Sequence, residues 1–144
     1  QLNLEKGNIL DLYSGVGSFG IECLSRYLCH VVFVEKDTLA SSNLKKNIID
    51  LKVTNRVKII AQDTKNYLKK INNKDKFDLI FLDPPYKDIT FLKVMTLIKE
   101  KKIFNKNHKV IIHRERGCEE NLSDYLKIDL VKNYGRSKII FGSF

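Results

Sequence analysis

Asp11-Leu12-Tyr13-Ser14-Gly15-Val16-Gly17-Ser18-Phe19-Gly20 closes the apolar run Ile9 to Leu12 and opens a stretch with helical spacing. That stretch, Ser18 to Tyr27, places Phe19, Cys23, Leu24 and Tyr27 on one side. Gly15, Gly17 and Gly20 satisfy the pattern G-x-G-x-x-G. Alone, the pattern says that the backbone turns tightly and comes close to a ligand. Between a strand and a helix, it predicts the opening unit of an α/β sheet.

Downstream residues repeat the alternation. Val31 to Val34 reads as a buried strand, because β-branched residues run on without a polar face, and Val57 to Ala61 as the third strand. Asp37 to Leu51 reads as the helix between them, with Leu39, Leu44, Ile48 and Leu51 on one side. Thr64 is expected to cap a third helix carrying Leu68 and Ile71, followed by a polar loop from Asn72 to Lys76. Phe77 to Leu82 is the most hydrophobic strand, and Thr90 to Lys102 the next helix, striped by Phe91, Val94, Met95 and Ile98. Val110 to Ile112 is the predicted fifth strand, with the charged stretch Lys99 to Lys109 before it read as solvated helix end and loop. Glu119 to Asp124 is read as a short helix. Lys127 to Val131 and Ser137 to Phe141 form the last two strands, around Asn133-Tyr134-Gly135. Too few residues separate them for a crossover helix, so they are expected to pair antiparallel. The successive βα units predict a mostly parallel sheet with right-handed crossovers and helices on both faces, its ligands outside the carboxyl ends of the strands.

One acid, Asp11, pulls the glycine loop away from dinucleotide binding. A pyrophosphate would sit on the helix N-terminus, but Asp11 lies four residues before Gly15, where a carboxylate opposes phosphate and suits the cationic amino acid end of S-adenosylmethionine. Glu35 ends the second strand, where an acid accepts from both ribose hydroxyls, and this holds for NAD as well. Asp63 reads two ways, as an acceptor for the adenine amino group or, with Thr64, as a helix cap.

Asp83-Pro84-Pro85-Tyr86 follows the fourth strand directly. Two prolines cannot continue a sheet, and they fix nearby carbonyls rigidly. An exocyclic amine on a flat ring needs such acceptors: the Asp83 carboxylate and the Pro84 carbonyl for its two N–H groups, and the Tyr86 ring to stack on the base. These acceptors turn the nitrogen lone pair toward a methyl group on sulfur, and Asp83 is the nearest acceptor for the departing proton.

The residues Asn8 to Gly20, Glu35-Lys36-Asp37, Asp63 and Asp83 to Tyr86 resemble the class I methyltransferases that modify exocyclic amines. More closely, the chain resembles the bacterial small-subunit (16S) ribosomal RNA guanine-N2 methyltransferases, the RsmD-like family. Gly20-Ile21-Glu22-Cys23-Leu24-Ser25-Arg26 and Tyr134-Gly135-Arg136-Ser137 carry the closer likeness, which covers nearly all 144 residues. The resemblance implies a Rossmann-like fold with a seven-stranded sheet ending in an antiparallel hairpin. It implies methyl transfer from S-adenosylmethionine to a guanine N2, with assembled ribosomal protein–RNA as substrate. Asp11, Gly15 and Gly17 are expected at the methionine end, with Tyr13 beside them as packing group or contact. Glu35 and Lys36 are expected at the ribose, Asp63 and Thr64 near adenine. Relatives usually carry an N-terminal extension with an Arg-Pro-Thr stretch. This sequence opens at Gln1-Leu2-Asn3-Leu4, downstream of it, so residues 1–144 are read as one catalytic domain.

The formal charge of +9 favours a polyanionic partner. Lysines outnumber arginines 21 to 5, however, which also reads as compositional bias. Arg114 and Arg116 in His113-Arg114-Glu115-Arg116, and Arg136 in the hairpin, are candidates to contact phosphate or the target nucleotide, or are solvated surface charge. His113 is expected to bond locally rather than act as a base. Cys23, Cys29 and Cys118 lack metal spacing and read as free thiols. No apolar run approaches the roughly 20 residues that cross a bilayer. A cytoplasmic monomer without a metal is expected. Competing readings are a DNA adenine-N6 or cytosine-N4 methyltransferase, which usually carries a target-recognition region, and a non-catalytic RNA-binding protein that kept the fold. A protein-glutamine methyltransferase would more typically have Asn at position 83.

Overall fold

The computed structural model describes residues 4–144; the opening Gln1-Leu2-Asn3 lies outside the described residues. β1 (Asn8–Leu12), α1 (Ser18–Arg26), β2 (His30–Val34), α2 (Thr38–Asp50), β3 (Val57–Ile60), α3 (Thr64–Lys70), β4 (Phe77–Leu82), α4 (Phe91–Lys101) and β5 (Phe104–Glu115) follow in turn, before β6 (Lys127–Tyr134) and β7 (Ser137–Ser143). The seven strands form one sheet in the order β3-β2-β1-β4-β5-β7-β6. Pairing is parallel from β3 to β5, and β7 and β6 add antiparallel. This is the Rossmann-like architecture expected, closed by the expected hairpin.

Alternation along each strand divides the core in two. Leu10, Leu12, Ile80 and Leu82 pack with Leu68 of α3 and with Phe91, Val94 and Ile98 of α4. Ile9, Val31, Phe33 and Leu79 pack on the other face with Cys23 and Leu24 of α1 and with Leu44 and Ile48 of α2. Asp11 shares the face of Ile9 and so lies under α1, at the carboxyl end of the central strand. Phe33 is fully buried there, and truncating so large a core side chain costs about 3–5 kcal/mol.

Several boundaries differ from expectation. β5 runs from Phe104 to Glu115, taking in residues read as loop. Phe104 pairs with Phe77, the register then shifts, and Lys109 to Ile112 pair with Leu79 to Leu82. A register shift disrupts the periodicity on which sequence reading depends. His113 to Glu115 extend beyond β4 and pair with β7, a support invisible from local sequence. Glu119 to Asp124 is mostly irregular, with one 3-10 turn at Leu122–Asp124 capped by the Asn121 carboxamide. Asp63, not Thr64, caps α3: its carboxylate accepts from the Asn66 N–H at 3.2 Å, and Thr64 is the first helical residue.

Candidate active site

Gly17 sits before α1 at φ 87°, in the left-handed region, and a Cβ there would lie 2.4 Å from the Leu44 side chain. A Cβ on Gly20 would lie 2.3 Å from the Phe33 ring. The glycines therefore let the helix start close against β2 and α2. That closeness puts the Gly20 N–H 3.1 Å from Asp11 Oδ2, to which it donates. Asp11 is 1% exposed, and its other oxygen, Oδ1, has no partner among the described residues. Burial first, then the nearby Asp83 and Glu35, push its carboxyl up to about 7, against the Gly20 hydrogen bond. A buried acid in this state is relieved by a cation.

Glu35 leaves β2 and braces the loop. Oε1 accepts from the Gly15 N–H at 2.8 Å and Oε2 from the Asp37 N–H at 2.7 Å. Each oxygen retains a lone pair for a hydroxyl donor. Tyr13 adopts φ 58°, a conformation uncommon for a bulky residue outside tight functional turns. Burial raises the pKa of its hydroxyl, keeping it a neutral phenol. The Ser14 hydroxyl is buried and unpartnered among the described residues.

A cavity of about 310 Å³ opens at the carboxyl ends of the central strands. Tyr13, Glu35, Lys36, Asp63, Thr64, Asp83 and Pro85 line it, so the structure brings these expected residues together. Lys65, Asp88, Thr90 and Val94 also line it and were not expected at the site from sequence. Asp88 accepts from the Thr90 N–H at 2.7 Å and the Thr90 hydroxyl at 2.5 Å, a local turn whose Asp-x-Thr spacing is legible in retrospect. Four carboxylates thus face the cavity, with Asp11 behind. A larger groove of about 470 Å³, between α2 and edge strand β3, is lined by Ser41, Lys45, Ile48, Thr54 and Ile59 among others. It has no carboxylate and lies away from the glycine loop, so the smaller cavity is the candidate site.

The Asp83 to Tyr86 turn is held from β5. Asp83 is half exposed and Tyr86 is 50% exposed beside the cavity, its ring 5.7 Å from Lys87 Nζ. Arg114, a candidate for phosphate contact or surface charge, is instead 2% exposed and cannot meet RNA directly. Its guanidinium donates to the carbonyls of Pro84 at 3.3 Å, Pro85 at 3.4 Å and Tyr86 at 3.0 Å, pairs with Glu120, and lies 4.4 Å from the centre of the Phe91 ring. One lone pair of the Pro84 carbonyl is therefore already taken, and its second stays free beside the Asp83 carboxylate. Arg116 and Arg136 are exposed and adjacent, joined by the Arg116 N–H donating to the Arg136 carbonyl at 2.7 Å. His113 bonds across the fold: Nδ1 lies 2.7 Å from Asp83 Oδ1 and Nε2 2.9 Å from Ser137 Oγ. The three cysteines are free. No helix among the described residues is long and apolar enough to cross a membrane.

Comparison with known proteins agrees with the motifs. Residues 1–143 match the family described as "Conserved hypothetical protein 95". The "Ribosomal RNA small subunit methyltransferase D" of Buchnera aphidicola (subsp. Acyrthosiphon pisum) is 37% identical over 113 residues, 78% of this chain and 58% of that protein. The protein of that name from Haemophilus influenzae is 32% identical over 78% of this chain and 59% of its own length. The chain spans less than two thirds of the length of these curated relatives. A "conserved hypothetical protein" from Streptococcus pyogenes superposes with TM-score 0.87 at 28% identity, covering 96% of this chain and 86% of that one. An RNA methyltransferase of Salinibacter ruber, solved with S-adenosyl-L-homocysteine, shares the fold at TM-score 0.73 and 15% identity, over 99% of this chain and 84% of that one. By sequence along nearly its whole length, the chain belongs to the conserved hypothetical protein 95 family and is a relative of the small-subunit ribosomal RNA methyltransferase D proteins.

Proposed function

We propose that the chain transfers a methyl group from S-adenosylmethionine to the exocyclic N2 amino group of a guanine in small-subunit ribosomal RNA, within a cytoplasmic ribonucleoprotein particle. The observation that carries the cofactor is the ring of carboxylates: Glu35, Asp63, Asp83 and Asp88 on the cavity wall, with Asp11 buried behind them. Against these four acids the wall sets two cations, Lys36 and Lys65, so it is net negative, which disfavours a pyrophosphate and favours a ligand bearing a sulfonium and an ammonium. The orphaned Asp11 Oδ1 and its raised pKa fit the ammonium end. Glu35 takes the ribose hydroxyls, with Lys36 beside it. Asp63 takes the adenine amino group while capping α3, because one carboxylate has lone pairs for both. Tyr13, Gly15 and Gly17 shape the turn between.

When bound, the cofactor supplies an activated methyl group, so no nucleophilic side chain is needed. The protein's part is placement and charge. Asp83 receives an N–H of the target amine and meets the positive charge that grows on nitrogen. Tyr86, exposed at the rim, stacks on the base. Arg114 fixes the carbonyl side of the turn and so acts through the loop. Arg116 and Arg136 offer two cations to RNA phosphates next to the site.

Methyl transfer from labelled S-adenosylmethionine to undermodified small subunits, naked RNA and DNA, followed by nucleoside analysis, tests this reading. Label in N2-methylguanosine is expected. Label appearing solely as N6-methyladenine in DNA would overturn it.

A further inference from the structure

Methyl transfer itself requires nothing of His113, yet both its ring nitrogens are committed. Nδ1 is 2.7 Å from Asp83 Oδ1 and Nε2 is 2.9 Å from Ser137 Oγ. The neutral tautomer with hydrogen on Nδ1 satisfies every group. Nδ1–H donates to Asp83, and Nε2 accepts from the Ser137 hydroxyl. Asp83 Oδ2 has no hydrogen-bond partner among the described residues.

We propose that His113, oriented by Ser137, is a positioning residue that holds Asp83 Oδ1 so that Oδ2 is presented to the target amine. The inference rests on the amine-methylation reading above. Asp83 stands at the end of β4 with its side chain 47% exposed, where little packing selects a rotamer. Pro84 fixes the backbone next to it but not its χ1 or χ2. A hydrogen bond from a ring that is itself anchored supplies the missing restraint.

The ring is well placed to do so. His113 pairs with Ile139 of β7, and Ser137 pairs with Glu115, so both members sit in the β5–β7 ladder rather than in a loop. The neighbouring Arg114 grips the carbonyls that follow Asp83. Adjacent strand residues point to opposite faces, so β5 holds the turn by its side chain from one face and by its backbone from the other. The connectivity acid–imidazole–hydroxyl matches that of serine hydrolases, but its sense is reversed. Asp83 lines the cavity and Ser137 does not, so the acid is the working end and the serine the anchor.

Asparagine and glutamine separate the role of each nitrogen. The H113N amide places a donor near the position of Nδ1, whereas H113Q reaches only the position of Nε2. Steady-state methyl transfer to undermodified small subunits, with calorimetric binding of S-adenosylmethionine, decides the matter. H113A and H113Q are expected to lose about 10- to 100-fold in kcat, the cost of a misplaced reacting group. H113N is expected to stay within about fivefold of wild type, and all three to bind cofactor within about twofold of it. Cofactor binding also reports whether each variant folds; if H113A does not, the H113N–H113Q pair decides alone. Equal rates for H113N and H113Q, or wild-type kcat in H113A, overturn the proposal while leaving methylation intact. A wild-type chain that methylates no amine overturns the methylation reading and this proposal together.

Discussion

Asp11 shows how one residue couples stability to ligand binding. Its folded pKa is about 7 against an ordinary value of 3.8, the shift due mainly to burial. Below the ordinary value the acid is neutral in both states and contributes nothing. As pH rises from there, the unfolded chain ionises first, so stability is lost until the folded group also ionises near pH 7. Above that, the penalty is complete and on the order of 4 kcal/mol. Asp11→Asn keeps an acceptor for the Gly20 N–H without a charge. Its melting temperature is therefore expected to exceed wild type at pH 8, with a much smaller gain at pH 4. S-adenosylmethionine, bringing an ammonium to the site, is expected to raise the wild-type melting temperature at pH 8 and to have little effect on the variant. Thermal melts with and without cofactor check both; equal cofactor shifts in the two proteins would detach Asp11 from the ligand. Asp11, Glu35 and Asp83 were legible in the sequence because each ends a strand beside a turn with its own signature. Arg114 was not. An arginine at a strand end normally reaches water, and only the three carbonyls and Glu120 brought to it by the fold make its burial tolerable.

Among the elements, β5 is the one whose length matters most for the site. Its core, Val110 to Ile112, is apolar and was readable, but the part that touches the Asp83 turn lies beyond β4 and exists because β7 pairs with it. Arg114→Met retains an unbranched, apolar side chain but leaves Glu120 and three carbonyls without their donor. Loss of one partner from such a buried pair costs about 3–5 kcal/mol. Urea unfolding is expected to show that loss, and hydrogen exchange at the amides of residues 86–88 to accelerate beyond it. A variant as stable as wild type would mean that the guanidinium is not needed to hold the turn. Arg56 plays a comparable part at the opposite end of α1. It donates to the carbonyls of Leu24 at 3.2 Å, Tyr27 at 2.8 Å and Cys29 at 3.2 Å. Those carbonyls belong to the end of α1 and the entry to β2, where helix carbonyls lack internal partners. Arg56→Ala is expected to lower stability by about 2 kcal/mol, read from urea midpoints, with cofactor affinity unchanged. By contrast, the Glu22–Arg26 pair, part of the stretch that carried the family likeness, is exposed on both sides and contributes little.

At the scale of the whole molecule, the total charge and the charge of the cavity wall differ in sign. The chain carries +9 overall, yet the cavity wall is acidic. Under the proposed reaction, a cationic cofactor and a polyanionic substrate would be drawn to different places on one surface. Lysine-rich composition could not by itself reveal this, because lysines on every face contribute to the same total; the fold gathers four acids on one wall with only Lys36 and Lys65 among them. Arg116 follows β5 and Arg136 precedes β7, so the two form one exposed basic pair at that end of the β5–β7 ladder. If they hold phosphates, each released counterion contributes to the salt dependence of RNA binding, with a slope near −0.7 to −0.9 per phosphate. The double change Arg116→Ala with Arg136→Ala is then expected to flatten the plot of log affinity against log salt by about 1 to 2 units. At fixed low salt, the KM for small subunits should rise by about tenfold or more, while kcat and cofactor affinity remain near wild type. Filter binding across a salt series and steady-state kinetics measure the two quantities. An unchanged slope would place these arginines outside the RNA footprint, and a fall in kcat without a change in slope would place their effect on the Asp83 turn, not on phosphate.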